Sequence, residues 1–240
     1  MKKNIQNLLK RDLEVVPLIA YFVFYFWYLL FDRVLEMKDY AVLVKPIIIP
    51  LIAFLYITNK NSKKSFLSLL LLIFIFISDN SLLLEIRSFH IYATIIYFFC
   101  LMIFLYYSLS DVKYFKDNSR NKSKLAYILI GIVFFSLVFL LLNYDFKSKS
   151  AEKFVAFEYM ITFLVVFVVS IVNYVRYKTK KAKYFFLTIL CLFLSDLCFS
   201  IHHYYNGHVA FKFLIFIVEV PVYYFLLKYL LKRDKDIIEQ

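Results

Sequence analysis

Eight stretches of roughly 20 predominantly apolar residues divide this 240-residue chain, at about 15–31, 41–58, 66–84, 89–109, 125–143, 154–175, 184–204 and 209–230. A hydrocarbon core of ~30 Å is crossed by about 20 residues of α-helix, whose backbone polar groups all pair within the segment. A soluble domain has no way to bury eight such segments and still keep a polar surface. The composition agrees, with 63% hydrophobic and only 19% charged residues, where soluble domains are about half apolar and a quarter charged. The expectation is therefore an all-α polytopic transmembrane bundle of eight helices, forming a single transmembrane domain over residues 1–240.

Orientation follows from the basic residues. The N-terminal segment, the loop at 60–64, the loop at 111–124, the segment 176–183 and the tail from Lys228 carry 21 of the 29 Lys and Arg. The intervening loops carry eight, partly offset by Asp32, Glu36, Asp39, Glu85, Asp145 and Glu152. Every second loop is basic, which predicts both termini in the cytoplasm and insertion in a bacterial inner (cell) membrane. The apolar stretch after Pro17 is long enough to span and no small-residue cleavage site follows it, so the first helix is expected to remain as an uncleaved anchor. The net charge of +12 then serves orientation. Its partner at these juxtamembrane loops is anionic lipid rather than nucleic acid.

Several chemistries are excluded. The two glycines, Gly131 and Gly207, are too far apart to build a dinucleotide fingerprint, a P-loop or a serine-hydrolase elbow. Cys100, Cys191 and Cys198 lie in apolar stretches without a CxxC pair, which suggests buried thiols. With four histidines there is no set of His boxes for a membrane di-iron enzyme. His202 and His203 are adjacent, and neighbours on a helix point about 100° apart. No metal and no cofactor are expected.

Ionisable groups inside a bilayer are costly and usually face a bundle interior or a cavity. Asp79, in FISDN of the third span, and Asp196, in FLSDL of the seventh, stand out. Each follows a serine, Ser78 or Ser195, whose hydroxyl is expected to hydrogen-bond locally, and each lies 15 residues after a lysine, Lys64 or Lys181. At 1.5 Å per residue both carboxylates are expected about 20 Å into the membrane, at matched depth. The match suggests a parallel 4+4 repeat with the aspartates across a central cavity. The plainer reading is coincidence of a common dipeptide, with each Asp meeting interfacial water. Lys45 opens the second span in VKPIIIP, where it either snorkels to the interface or binds a headgroup. Glu158, early in the sixth span, and His202, at the end of the seventh, are further candidates. Glu219 precedes Pro221 by two residues, and a proline kink beside a carboxylate marks a cavity wall or a pairing with a nearby tyrosine. Tyr223 and Tyr224 follow, as ligands or as packing residues.

Taken together these features resemble the YhhN-like family of membrane proteins, which includes the lysoplasmalogenases. Lys45-Pro46 is similar to the family's KP. Ser78-Asp79 with Leu82 to Leu84 stands where the family usually has Gly-Asp and an apolar run. Ser195-Asp196 is similar to its SD motif, and Tyr223-Tyr224 to its aromatic pair. The resemblance covers the second to the eighth spans. In the fourth span the chain departs from it: Tyr92 and Cys100 fall near the family's glycine and histidine.

The resemblance implies hydrolysis of the vinyl-ether bond of a lysolipid to a fatty aldehyde and a glycerophospho-headgroup. That reaction begins with protonation of an alkenyl carbon, which needs a protonated acid near neutral pH. Low dielectric favours the protonated carboxyl, and two nearby carboxyls titrate apart. One aspartate is then the acid and the other activates water, with the phosphate near Lys45 and either assignment open. A proton-coupled transporter or a lipid-binding membrane protein without enzymatic activity is the competing class, since carboxylates and a proline-broken helix suit it too.

Overall fold

The computed structural model describes residues 2–59, 64–83, 87–112, 131, 150–204 and 209–238. Helix α1 (Lys2–Leu29) runs into a π-helical turn (Leu30–Val34). It is followed by α2 (Lys38–Thr58), α3 (Phe66–Leu83), α4 (Arg87–Asp111), α5 (Ser150–Tyr177), α6 (Lys180–Tyr204) and α7 (Val209–Ile238). Among the described residues there are thus seven α-helices rather than eight, and no strand. The fifth expected span, 125–143, lies outside the described residues apart from Gly131, which is helical. Helices α5, α6 and α7 are the sixth, seventh and eighth expected spans.

Among the described residues five segments are long and apolar enough to cross a membrane: Val15–Asp32, Lys38–Thr58, Ile91–Asp111, Phe157–Tyr177 and Phe213–Lys235, with Phe66–Ser81 a shorter apolar helix. The protein is a membrane protein. Two helices overrun their apolar stretches, α1 back to Lys2 and α7 forward to Ile238. Both extensions are rich in Leu, Lys and Arg, which favour helix whether or not lipid surrounds them. Hydropathy marks the spanning portion; propensity carries the helix beyond it. Pro17, Pro46, Pro50 and Pro221 all sit inside helices, where neighbouring helices can satisfy the backbone groups a proline releases.

The chain divides into two compact units, Met1–Leu72 with Cys191–Gln240, and Ile73–Leu190. In the first, α1 packs on α2 and both meet α7. Its fully buried side chains include Tyr21, Leu29, Ile52, Tyr56, Tyr229 and Leu230. Tyr21, Tyr25 and Tyr28 recur at helical spacing on α1 and meet edge to face, with ring centroids 5.6 and 5.9 Å apart. In the second unit α4 packs on α5 around Tyr107, Val166, Phe167, Ile171 and Ile189. There Asn173 donates to the Ser108 carbonyl at 3.0 Å and to its hydroxyl at 2.9 Å. Large apolar side chains such as Leu43, Phe66 and Ile217 are left exposed, as a lipid-facing surface requires.

Glycine scarcity has a structural consequence at two helix ends. Helices commonly stop on a left-handed residue, usually glycine. Here Glu36 and Lys178 take that conformation, with φ of 55° and 50°. Lys178 closes α5 by donating its N–H to the Tyr174 carbonyl at 2.9 Å, and its side chain is exposed. Lys178→Gly is expected to remove left-handed strain of about 1 kcal/mol, less the extra freedom of an unfolded glycine. A thermal melt in detergent should show a small gain in Tm; a loss would mean the lysine side chain contributes something else.

Candidate active site

The carboxylate of Asp79 sits near the end of α3, in the unit Ile73–Leu190, and is 6% exposed. Its position is set from α4. Tyr97 donates its phenolic hydrogen to Asp79 Oδ1. One turn earlier, Ser78 Oγ donates to the Ala93 carbonyl at 3.3 Å. Ala93 and Tyr97 are four residues apart and share a face of α4. The alanine, fully buried, lets α3 approach; the tyrosine then reaches the carboxylate. Asn80 turns back on its own helix, donating to the Phe76 carbonyl at 2.7 Å. A carboxylate so placed is buried and held by a neutral donor, and a buried polar group is costly without such a partner.

Most of the remaining candidates belong to the other unit. Ser195, buried on α6, donates to Glu219 Oε1 on α7 at 3.0 Å. Beside Glu219, the Val220 carbonyl accepts the Tyr21 hydroxyl from α1, next to the proline that interrupts the helix ladder. Tyr223 is buried and its ring lies 6.1 Å from Tyr25. Lys45 holds its ammonium 5.0 Å from the Tyr28 ring centroid, a cation–π contact that keeps the charge at the end of the tyrosine ladder. Tyr224 carries the Lys228 ammonium at 5.4 Å. The structure thus joins Ser195 to Glu219 directly, and links Tyr223 and Lys45 to the same ladder through Tyr25 and Tyr28.

Asp196 lies on an exposed face of α6, and Glu158 is exposed on α5. His202 occupies the last turn of α6. Tyr97 was not singled out by sequence reasoning, because one tyrosine among 21 carries no signal by itself. The readable cue was Ala93, the one alanine of α4: a small residue beside large apolar side chains marks where a neighbour comes close. Ser78 and Ser195 do not bond locally as expected; their hydroxyls reach the next helix.

The YhhN family matches residues 40–232, which covers the KP motif, both Ser-Asp motifs and the tyrosine pair. No curated protein and no solved structure matches the chain. The match extends over most of the sequence and coincides with the second to eighth apolar stretches. The chain belongs to the YhhN family.

Proposed function

We propose that the protein is an integral membrane hydrolase that cleaves the vinyl-ether bond of a lysolipid, with Asp79 and Asp196 as its acid and base carboxylates. The observation that carries this reading is a buried carboxylate, Asp79, fixed by Tyr97 within apolar helices of a chain that belongs to a family including the lysoplasmalogenases. Protonation of the alkenyl carbon distal to oxygen leaves an oxocarbenium ion. Water, losing a proton to the second carboxylate, adds to the carbon bonded to oxygen. The hemiacetal then collapses to a fatty aldehyde and the glycerophospho-alcohol, so one water is consumed and no other reactant is needed. Lys45 supplies a positive charge for the lipid phosphate, and Ser78, Ser195, Glu158, Glu219, His202, Tyr223 and Tyr224 are the further lipid-contact candidates. The lysolipid would enter from the bacterial cell membrane, with both termini of the chain cytoplasmic and the basic loops against anionic lipid.

The same reading takes the chain as a parallel 4+4 repeat. Ser195-Asp196 follows Ser78-Asp79 by 117 residues, and each serine reaches the next described helix, α4 or α7. The test of the activity is a panel in detergent: a lysolipid with a vinyl ether, its saturated ether counterpart and an acyl lysolipid. The vinyl ether alone should be consumed. Loss of the acyl lipid instead would replace this reading with ester hydrolysis, and lipid uptake into proteoliposomes without cleavage would favour a carrier. Tyr97→Phe removes a single hydroxyl from Asp79 and should slow aldehyde release about tenfold, the worth of one hydrogen bond to a charged group, with little change in Tm. Unchanged turnover would show that Asp79 does not depend on the phenol.

A further inference from the structure

Two buried polar clusters lie outside the candidate site, one in each compact unit. In the first unit Asp234, fully buried near the end of α7, accepts the hydroxyl of Tyr56 from the end of α2. The same phenolic oxygen accepts the backbone N–H of Ser65 at 3.0 Å, at the entry to α3. Lys64 places its ammonium 5.0 Å from the Tyr56 ring centroid and donates to the Asn59 carbonyl. Burial pushes the Lys64 ammonium below its ordinary value, and the nearby Asp234 charge opposes that shift.

In the second unit Asp111, at the last residue of α4, faces Lys181 in the first turn of α6. The ammonium and carboxylate are 3.5 Å apart, with their side chains 4% and 3% exposed. Asn173, near the end of α5, adds its two bonds to Ser108, one turn before Asp111.

Two members of each cluster correspond by position. Tyr56 and Asn173 each precede their lysine by eight residues, and Lys64 and Lys181 each precede their Ser-Asp aspartate by 15. The acidic members differ in spacing, 32 residues after Asp79 for Asp111 and 38 after Asp196 for Asp234; Asp111 ends α4 and Asp234 lies near the end of α7, each on the helix that follows a Ser-Asp helix. Burying a charge is expensive unless a partner compensates it.

We infer that the chain builds one latch twice: Tyr56, Lys64 and Asp234 tie the entry of α3 to the ends of α2 and α7, and Asn173, Lys181 and Asp111 tie the entry of α6 to the ends of α5 and α4. Each latch fastens the start of a helix that bears a Ser-Asp motif. The partners are crossed, because the entry of α3 is closed by the last helix of the chain and the entry of α6 by α4. The pairing rests on the repeat and not on the hydrolase chemistry. Removing one member of a buried ion pair costs its attraction, whereas exchanging the two charges keeps it.

The test is a pair of double-mutant cycles on the full-length protein in detergent, read as Tm. Asp111→Leu and Lys181→Leu should each lower Tm by on the order of 10 °C, the scale set by an unpaired buried charge. The double variant should lose less than the sum, and Asp111→Lys with Lys181→Asp should recover most of the loss. In the other unit Tyr56→Phe and Asp234→Asn should couple in the same way. If the Asp111 or Lys181 variants fail to fold, Ser108→Ala and Asn173→Ala remove only the hydrogen bonds and complete that cycle. Additive losses, no recovery on charge exchange, or coupling in only one unit would overturn the inference. Both couplings in a protein inactive on vinyl ethers would sink the hydrolase reading and leave the latch standing.

Discussion

Asp79→Asn and Asp196→Asn should each abolish aldehyde release, with rates down by about 10²–10⁴ for loss of a general acid or base. Asparagine keeps the size and the hydrogen-bonding oxygen but neither gives nor takes the proton that the chemistry needs. For Asp79 the substitution is close to isosteric, and Tyr97 can still donate to the amide oxygen, so the fold should survive. Measuring Tm beside the rate separates the two effects: unchanged melting with lost turnover assigns a chemical role. Asp196 provides the sharper discrimination because it is exposed on α6 and its replacement should disturb packing even less. If both variants turn over vinyl-ether lysolipid at the rate of the parent protein, the carboxylates are not its acid and base.

Ala93→Leu should be the most damaging single change outside the ionisable residues. Ala93 is fully buried, and its carbonyl lies 3.3 Å from Ser78 Oγ, so α3 and α4 are in close approach at this level. Three added carbon atoms would force the helices apart or drive the leucine off its rotamers, at about 1–3 kcal/mol. The activity should suffer more than the stability. Tyr97 lies one turn further along the same face of α4, and moving it away from Asp79 releases the carboxylate from its fixed position. A displacement of about 1 Å at a reacting group can reduce turnover on the order of 10²-fold. The check is turnover against Tm across Ala93→Gly, Ala93→Ser and Ala93→Leu. Loss should rise with side-chain volume, and a flat series would show that the α3–α4 approach is irrelevant to Asp79.

How far these features could be read beforehand depends on the physical signal each leaves in the sequence. Spanning segments are legible because hydrocarbon demands long uninterrupted apolar runs, and seven of the expected stretches are helices among the described residues. Helix ends were less legible: α1 and α7 continue through charged residues that suit helix in water as well as in lipid. The Ser-Asp motifs were visible because charge is rare in an apolar segment. Their serines were expected to bond locally, and what redirects them is the neighbouring helix, which a sequence does not display. Tyr97 was hidden for the same reason, as was the Ser195–Glu219 bond, although the carboxylate beside Pro221 had marked that position. Lys181 and Asp111 read as loop charges at the membrane edge. Only the fold shows that they are buried against each other.

Family membership and the placement of Asp79 converge on one measurement. Purified protein in detergent, supplied with a vinyl-ether lysolipid, should release fatty aldehyde and glycerophospho-headgroup in equal amounts, and the Asp79→Asn protein should release neither. Run in D₂O, the first aldehyde formed should carry deuterium on the carbon next to the carbonyl, because that carbon receives the proton. Intact lipid after prolonged incubation with folded protein, or aldehyde released equally by Asp79→Asn, would contradict the account.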